Sequence, residues 1–292
     1  MTNLSKPQAC HIGQRKAGKA NVKGTISIVD ASAPILLFDS GVGGLTVLDE
    51  LRKALPQAPV IYAADIAGLP YGTKSEAEVA ARVCGLLGRM AERWQPRLIC
   101  IACNTASTIA LAMVRDVLET PIVGTVPAIK PAAAMTRSGV IGLLGTQATV
   151  RQGYVDRLEN EFASGRHLLR HGANGLVALA EDKLRGQQID PVAVEQELEG
   201  LLAQPHAEAI DTLVLACTHF PLLADEIRAV MGNDVALVDG SAGIARRIAV
   251  LTEGQAFARH EADRAITTGS LDDWERLRPA LGARDLTSLE RF

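Results

Sequence analysis

The sequence predicts an α/β protein made of two similar domains, each with a mainly parallel sheet, facing each other across a cleft. Three observations predict it. Five short apolar runs are continuous rather than alternating, the pattern of strands buried on both faces. Helix-like segments with readable ends separate them, and strands alternating with helices build parallel sheets. The two halves also repeat one arrangement, in which an apolar strand enters a polar loop and a later apolar strand ends in Ala-Cys.

In chain order, the first candidate strand is Ile35–Phe38, leading into the loop Asp39-Ser40-Gly41-Val42-Gly43-Gly44. Leu45 to Leu55 reads as a helix stopped by Pro56, which cannot continue the hydrogen-bond ladder. Val60–Ala63 is the second strand. Ser75, with Glu78 three residues later, forms a capping box that opens a helix running to about Trp94. Leu98–Ala102 is the third strand and delivers Cys103, Asn104 and Thr105. In the second half, Val140–Leu144 leads into a loop carrying Thr146 and Thr149. Leu213–Ala216 then delivers Cys217, Thr218 and His219, after a separation similar to that between Asp39 and Cys103.

The composition narrows the function. The chain has 292 residues, 48% hydrophobic and 22% charged, enough for two ordinary folded domains. A net charge of −3 gives no electrostatic footprint for nucleic acid, and 3% aromatics supply no platform for stacking bases. No apolar run reaches the ~20 residues of a membrane span. The cysteines number five, an odd count in a long chain, which argues against a disulfide framework and for a reducing cytoplasm. Residues 1–33 carry Lys6, Arg15, Lys16, Lys19 and Lys23 against a single acid, Asp30. Such a polar stretch is expected to be a mobile tail, the alternative being an arm that binds an anionic regulator.

The chemistry centres on two thiols. In open α/β sheets, ligands bind beyond the carboxyl ends of strands, and both Cys103 and Cys217 fall there. A following helix N-terminus favours the thiolate, so each can serve as a base and, once protonated, as an acid. Cys10, Cys84 and Cys100 read instead as small hydrophobes. Two opposed thiols suit inversion of a stereocentre, because one base does not easily reach both faces of a carbon. Asp39 either holds an α-ammonium group, orients Cys103, or caps the helix that follows. His219 either orients Cys217, with Glu181 fixing its tautomer, or caps its own helix. Asn104, Thr105, Thr146, Thr149 and Thr218 are short donors near helix starts, where carboxylates bind readily.

Other motifs fail in detail. Gly41-Val-Gly43-Gly44-Leu45-Thr46 lacks the last glycine of the dinucleotide fingerprint. There is no phosphate-binding Gly-Lys-Ser/Thr loop and no nucleophile-elbow serine. Cys100 and Cys103 form a Cys-x-x-Cys, but within a predicted strand, where that spacing points them to opposite faces. Cys103, Cys217 and His219 lack metal-ligand spacing, so no metal site is expected.

Four motifs in register resemble glutamate racemases of the aspartate/glutamate racemase family. They are Phe38-Asp-Ser-Gly-Val-Gly-Gly-Leu45, Pro70-Tyr71-Gly72 with Lys74-Ser75, Ala102-Cys-Asn-Thr-Ala-Ser107 and Leu215-Ala-Cys-Thr-His-Phe-Pro221. Gly124-Thr-Val-Pro-Ala-Ile-Lys-Pro131 is similar to the proteobacterial branch. The resemblance implies two-base interconversion of L- and D-glutamate, without pyridoxal phosphate or metal, supplying D-glutamate for peptidoglycan. It implies that Cys103 deprotonates D-glutamate with help from Asp39. Cys217 would deprotonate L-glutamate with help from His219 and Glu181. Asp39, Ser40, Tyr71, Gly72, Asn104, Thr105, Thr146, Thr149, Thr218 and His219 would surround the substrate. It further implies an extension at 1–33, one domain from 34–127 plus 241–292, a second from 128–240, a homodimer, and a peptidoglycan precursor as activator. Two readings compete: a racemase for aspartate, and a non-catalytic protein that closes around an amino acid.

Overall fold

The computed structural model describes residues 30–292. Its first half runs β1 (Ile35–Asp39), α1 (Leu45–Ala54), β2 (Val60–Ala64), α2 (Glu76–Trp94), β3 (Leu98–Ile101), α3 (Asn104–Val117) and β4 (Ile122–Gly124). The second half runs α4 (Ile129–Met135), β5 (Val140–Gly145), α5 (Gln147–Val150), α6 (Gly153–Phe162), β6 (His167–Gly172) and α7 (Gly175–Leu184). It continues through α8 (Pro191–Leu202), β7 (Thr212–Leu215), α9 (Ala224–Met231) and β8 (Ala236–Asp239). The chain then passes through α10 (Ser241–Leu251) to β9 (Asp263–Thr267) and β10 (Leu286–Arg291).

Two wholly parallel sheets result. One has the order β10-β9-β2-β1-β3-β4, the other β6-β5-β7-β8. The continuous apolar runs follow from helices on both faces. Ile35 and Leu37 of β1 enter one core, while Leu36 and Phe38 enter the core on the opposite face. The second sheet divides likewise, Leu144 and Leu215 to one side and Leu143 and Val214 to the other. Each such side chain, fully buried, stabilises the fold by about 1.5–3 kcal/mol.

Local signals explain the helix ends. In α1, Leu45, Leu48 and Leu51 are buried along one face, and Arg52 and Lys53 in the last turn suit the negative end of the helix. Pro56 disfavours helical geometry at the residue before it, and Leu55 turns to φ −137°. The Ser75 hydroxyl accepts from the Glu78 N–H at 3.2 Å, opening α2.

Strands β4, β6, β9 and β10 carry no apolar run longer than two residues, while β8 takes up the apolar run Val235–Val238, which the sequence reading did not single out. His167–Gly172 and Leu286–Arg291 lie at sheet edges, where polar side chains reach solvent. At the N-terminal end, Arg97 donates to the carbonyls of Asp30, Ala31, Ala33 and Ala256 and to the Gln255 side chain. Residues 30–33, expected to belong to a mobile tail, are therefore anchored; the rest of that stretch, with Cys10, lies outside the described residues.

Candidate active site

Four strands from the two sheets end at one place. From β1 come Asp39 and Ser40, and from the end of β3 comes Cys103, which starts α3 with its sulfur accepting from the Ala106 N–H at 3.5 Å. From β5 comes Thr146, which caps α5 by accepting from the Thr149 N–H at 3.2 Å. From β7 come Cys217, Thr218 and His219. The strand ends meet because each sheet is parallel and delivers its loops to one edge. Both sulfur-bearing residues are buried, Cys103 5% and Cys217 7% exposed.

Around Cys103, the Ser40 hydroxyl lies 3.6 Å from the sulfur and donates to Asp39 Oδ1 at 3.4 Å. Asp39 thus reaches the thiol through Ser40. Its Oδ1 also accepts from the Gly41 N–H at 2.8 Å, and its Oδ2 from the Thr218 hydroxyl at 2.9 Å, a bond between the two halves. Asp39 does not cap α1, whose first turn has no side-chain cap. Burial pushes the Asp39 carboxyl up, against the opposing pull of His219 and its hydrogen bonds. Burial likewise pushes the Cys103 thiol up to about 12, with the Asp39 charge adding to the effect and Cys217 contributing less.

Cys217 is placed differently. His219 Nδ1 lies 3.9 Å from its sulfur, and His219 Nε2 lies 2.9 Å from Glu181 Oε1. His219 forms no helix-capping hydrogen bond; its ring bridges thiol and carboxylate. Burial disfavours the imidazolium, but the bonds to Cys217 and Glu181 outweigh it and hold the ring well above the usual histidine range. For Glu181, burial is opposed by His219, the Val42 N–H and Arg185, and the carboxyl ends below its usual value. A cationic imidazolium stabilises negative charge on the neighbouring sulfur.

The glycines of the first loop now have a reason. A Cβ on Gly43 would sit 2.6 Å from both His219 Nδ1 and the Thr218 hydroxyl, and one on Gly41 would strike the Glu181 carboxylate. The loop is glycine-rich so that its backbone can lie against the Glu181–His219 pair.

The remaining candidates divide. Thr105, Thr146 and Thr149 converge, their hydroxyls 3.0–3.2 Å apart in a buried triangle. Asn104 is buried and accepts from the Thr125 hydroxyl at 3.4 Å. Gly72 packs on Thr146, where an added Cβ would lie 2.8 Å from the threonine Cβ. Tyr71 is buried, and its hydroxyl donates to Asp65 Oδ2 at 2.6 Å. Asp65 also accepts from Arg82 and from Thr268 Oγ1 at 2.5 Å, so this carboxylate fixes the Tyr71-Gly72 loop. Sequence reasoning missed Asp65, although it follows β2 at the same sheet edge as the other loops. It also missed Arg82 and Arg185, whose acidic partners the fold supplies.

A large cavity lies elsewhere. About 1010 Å³ in volume, it is lined by Gly124, Val126 and Pro127, by Asp239 and Gly240, and by Lys130, Tyr154, Arg157, Phe162, Arg246 and Arg247. It borders both places where the chain passes between the sheets. Among the described residues, no helix is long and apolar enough to cross a membrane.

Comparison with known proteins gives a consistent result. The family model for Asp/Glu/hydantoin racemases matches residues 45–259. The chain is 65% identical over 225 residues to the glutamate racemase of Sphingopyxis alaskensis, covering 77% of this chain and 84% of that one. It is 42% identical over 260 residues to the glutamate racemase of Escherichia coli O157:H7, covering 88% and 90%. The crystal structure of E. coli glutamate racemase with L-glutamate and the activator UDP-MurNAc-Ala superposes with a TM-score of 0.83, at 41% identity over 89% of this chain and 98% of that one. A glutamate racemase isoform from Bacillus anthracis superposes at 0.77, with 28% identity over 90% and 98%.

Proposed function

This chain belongs to the Asp/Glu/hydantoin racemase family, and from that premise we propose that it interconverts L- and D-glutamate with Cys103 and Cys217 as its two bases. The observation that carries the reading is the placement of two buried thiols at the ends of corresponding strands, β3 and β7, each with its own proton partner. Identity to glutamate racemases favours glutamate over aspartate. The acid/base surroundings of both thiols favour an enzyme over a passive binding protein.

In the direction from D-glutamate, the Cys103 thiolate removes the α-proton and the Cys217 thiol returns one to the opposite face. The reverse direction exchanges the roles. Asp39, its carboxyl raised by burial, accepts the Cys103 proton through the Ser40 hydroxyl and so generates the thiolate. Glu181 holds His219 as an imidazolium, which stabilises the Cys217 thiolate. The Thr105, Thr146 and Thr149 hydroxyls and the first turn of α3 offer donors to a substrate carboxylate and to charge developing on the carbanion. The scheme calls for neither metal nor pyridoxal phosphate, and the product would serve peptidoglycan synthesis in the cytoplasm.

The activator seen with the E. coli enzyme suggests a use for the large cavity. Lys130, Arg157, Arg246 and Arg247 suit a diphosphate, and Tyr154 and Phe162 suit an aromatic base.

The test uses each glutamate enantiomer with metal-free, pyridoxal-free protein in heavy water. Loss of optical rotation and α-deuterium in the product are expected from both sides. Aspartate-only exchange would favour the neighbouring substrate class, and no exchange with any enantiomer would refute an enzyme.

A further inference from the structure

Glu181 is shared. Its Oε1 accepts from His219 Nε2 at 2.9 Å and from the Val42 N–H at 2.8 Å, while its Oε2 accepts from Arg185 Nη1 at 2.8 Å. Arg185 closes the C-terminal end of α7, one turn beyond Glu181, and its side chain is 15% exposed against 5% for the carboxylate. An acid followed four residues later by a base is a favourable pair on a helix, and low exposure limits its screening by water. The neighbouring cation on the same helix, Lys183, is spent on the Leu222 carbonyl at 2.9 Å and on Glu226. Cys217, Glu181 and Asp39 face the imidazole, and Arg185 is the cation that meets Glu181 from the far side.

We propose that Arg185 is a positioning residue for the Cys217 half of the site: its guanidinium holds one oxygen of Glu181 so that the other stays on His219, and it limits how much of the carboxylate charge the imidazole feels. This rests on the racemase reading above and deepens it. The geometry gives two effects of defined sign. Orientationally, Arg185 and the Val42 N–H fix the carboxylate plane, so the His219 ring is kept turned towards the sulfur. Electrostatically, a cation on the second oxygen draws negative charge away from His219. Without Arg185 the Val42 N–H still holds Oε1 beside the ring, so the uncompensated carboxylate charge would hold the imidazolium more firmly and the ring would give up its proton at higher pH.

The experiment follows His219 by NMR of histidine-labelled, full-length protein without substrate, its signal assigned against a His219→Gln variant. Arg185→Gln removes the cation and keeps a donor; Arg185→Met keeps the stem packing and serves where Gln perturbs the fold; Arg185→Lys restores the charge. All are compared where their near-ultraviolet circular dichroism matches the parent. The His219 midpoint is expected to rise by about one pH unit in the Gln or Met variant and to return towards the parent in the Lys variant. The alkaline limb of kcat/KM for glutamate should move with it, with kcat falling severalfold and KM little changed. An unmoved midpoint in the charge-removing variants, or a Lys variant that behaves like Gln, would overturn the proposal. The titration needs no turnover. A parent protein that does not exchange the glutamate α-hydrogen therefore defeats the racemase reading alone.

Discussion

Cys103 and Cys217 look equivalent in sequence, yet their surroundings differ in charge. The first sits by a carboxyl and a hydroxyl, the second by an imidazole backed by a carboxylate. On the two-base reading, the base on each face is set by different means while the sulfur chemistry stays the same. Cys103→Ala and Cys217→Ala are each expected to lower racemisation by at least about 10²-fold, the scale of a lost general acid or base. The thermal midpoint should stay close to the parent, since each change removes one small buried atom. Measurable full turnover in either variant would contradict the two-base scheme. The cysteines were legible because each follows an apolar strand ending in Ala. Glu181 was legible only as a candidate partner fixing the His219 tautomer, because its contacts to Val42 and His219 are made by the fold, which brings them in from far along the chain. Asp65, Arg82 and Arg185 left no such trace, since a single charge in a sequence does not show which backbone turn it will anchor.

At the scale of elements, the site is held by loops whose geometry other carboxylates enforce. Asp211, just before β7, accepts from the Thr136 hydroxyl, the Arg137 and Ser138 N–H groups and the Thr212 hydroxyl, at 2.7–2.9 Å. It ties the turn between α4 and β5 to the strand that delivers Cys217. Partial burial opposes its charge, but these donors prevail and hold the carboxyl well below its usual 3.8. A depressed carboxyl stabilises the fold above its unfolded value and loses that contribution as pH falls through the folded one. Asp211→Asn is accordingly expected to cost about 1–2 kcal/mol at pH 7, allowing for solvent screening at this partly exposed site. The gap should narrow below pH 3.8. Urea unfolding of both proteins at neutral and acid pH checks this, and a gap that widens on acidification would count against it. Buried elements were the readable ones: β1, β2, β3, β5 and β7 each show an unbroken apolar run. Edge strands such as β10 mix Thr, Ser, Glu and Arg with leucine, because one face and one edge meet water, and their pattern merges with that of loops.

Over the whole molecule, the two sheets are joined by chain passages that lie side by side. Gly240 packs against the Val126 carbonyl and the Thr125 hydroxyl, where a Cβ would sit 3.2 and 3.3 Å away. Thr125 in turn donates to Asn104, the residue after Cys103. A space of about 10 Å³ touching Asn104, Thr125, Cys217, Thr218 and Asp239 lies between this junction and Cys217. The large cavity on the other side of the junction shares Asp239, Gly240 and Ile244 with that space. A ligand filling the cavity would contact both passages. Replacing Arg246 and Arg247 together by Gln is expected to abolish any rate increase from UDP-MurNAc-Ala while leaving the basal rate unchanged. Equal stimulation of parent and double variant would remove the cavity from consideration.

Each sheet places a loop-bearing strand beside a thiol-bearing one: β1 with β3, and β5 with β7. Neither half is complete alone: the Thr218 hydroxyl of one donates to Asp39 of the other, and Glu181 accepts from the Val42 N–H across the same boundary. On the two-base reading proposed above, inversion of the stereocentre requires both halves, held face to face.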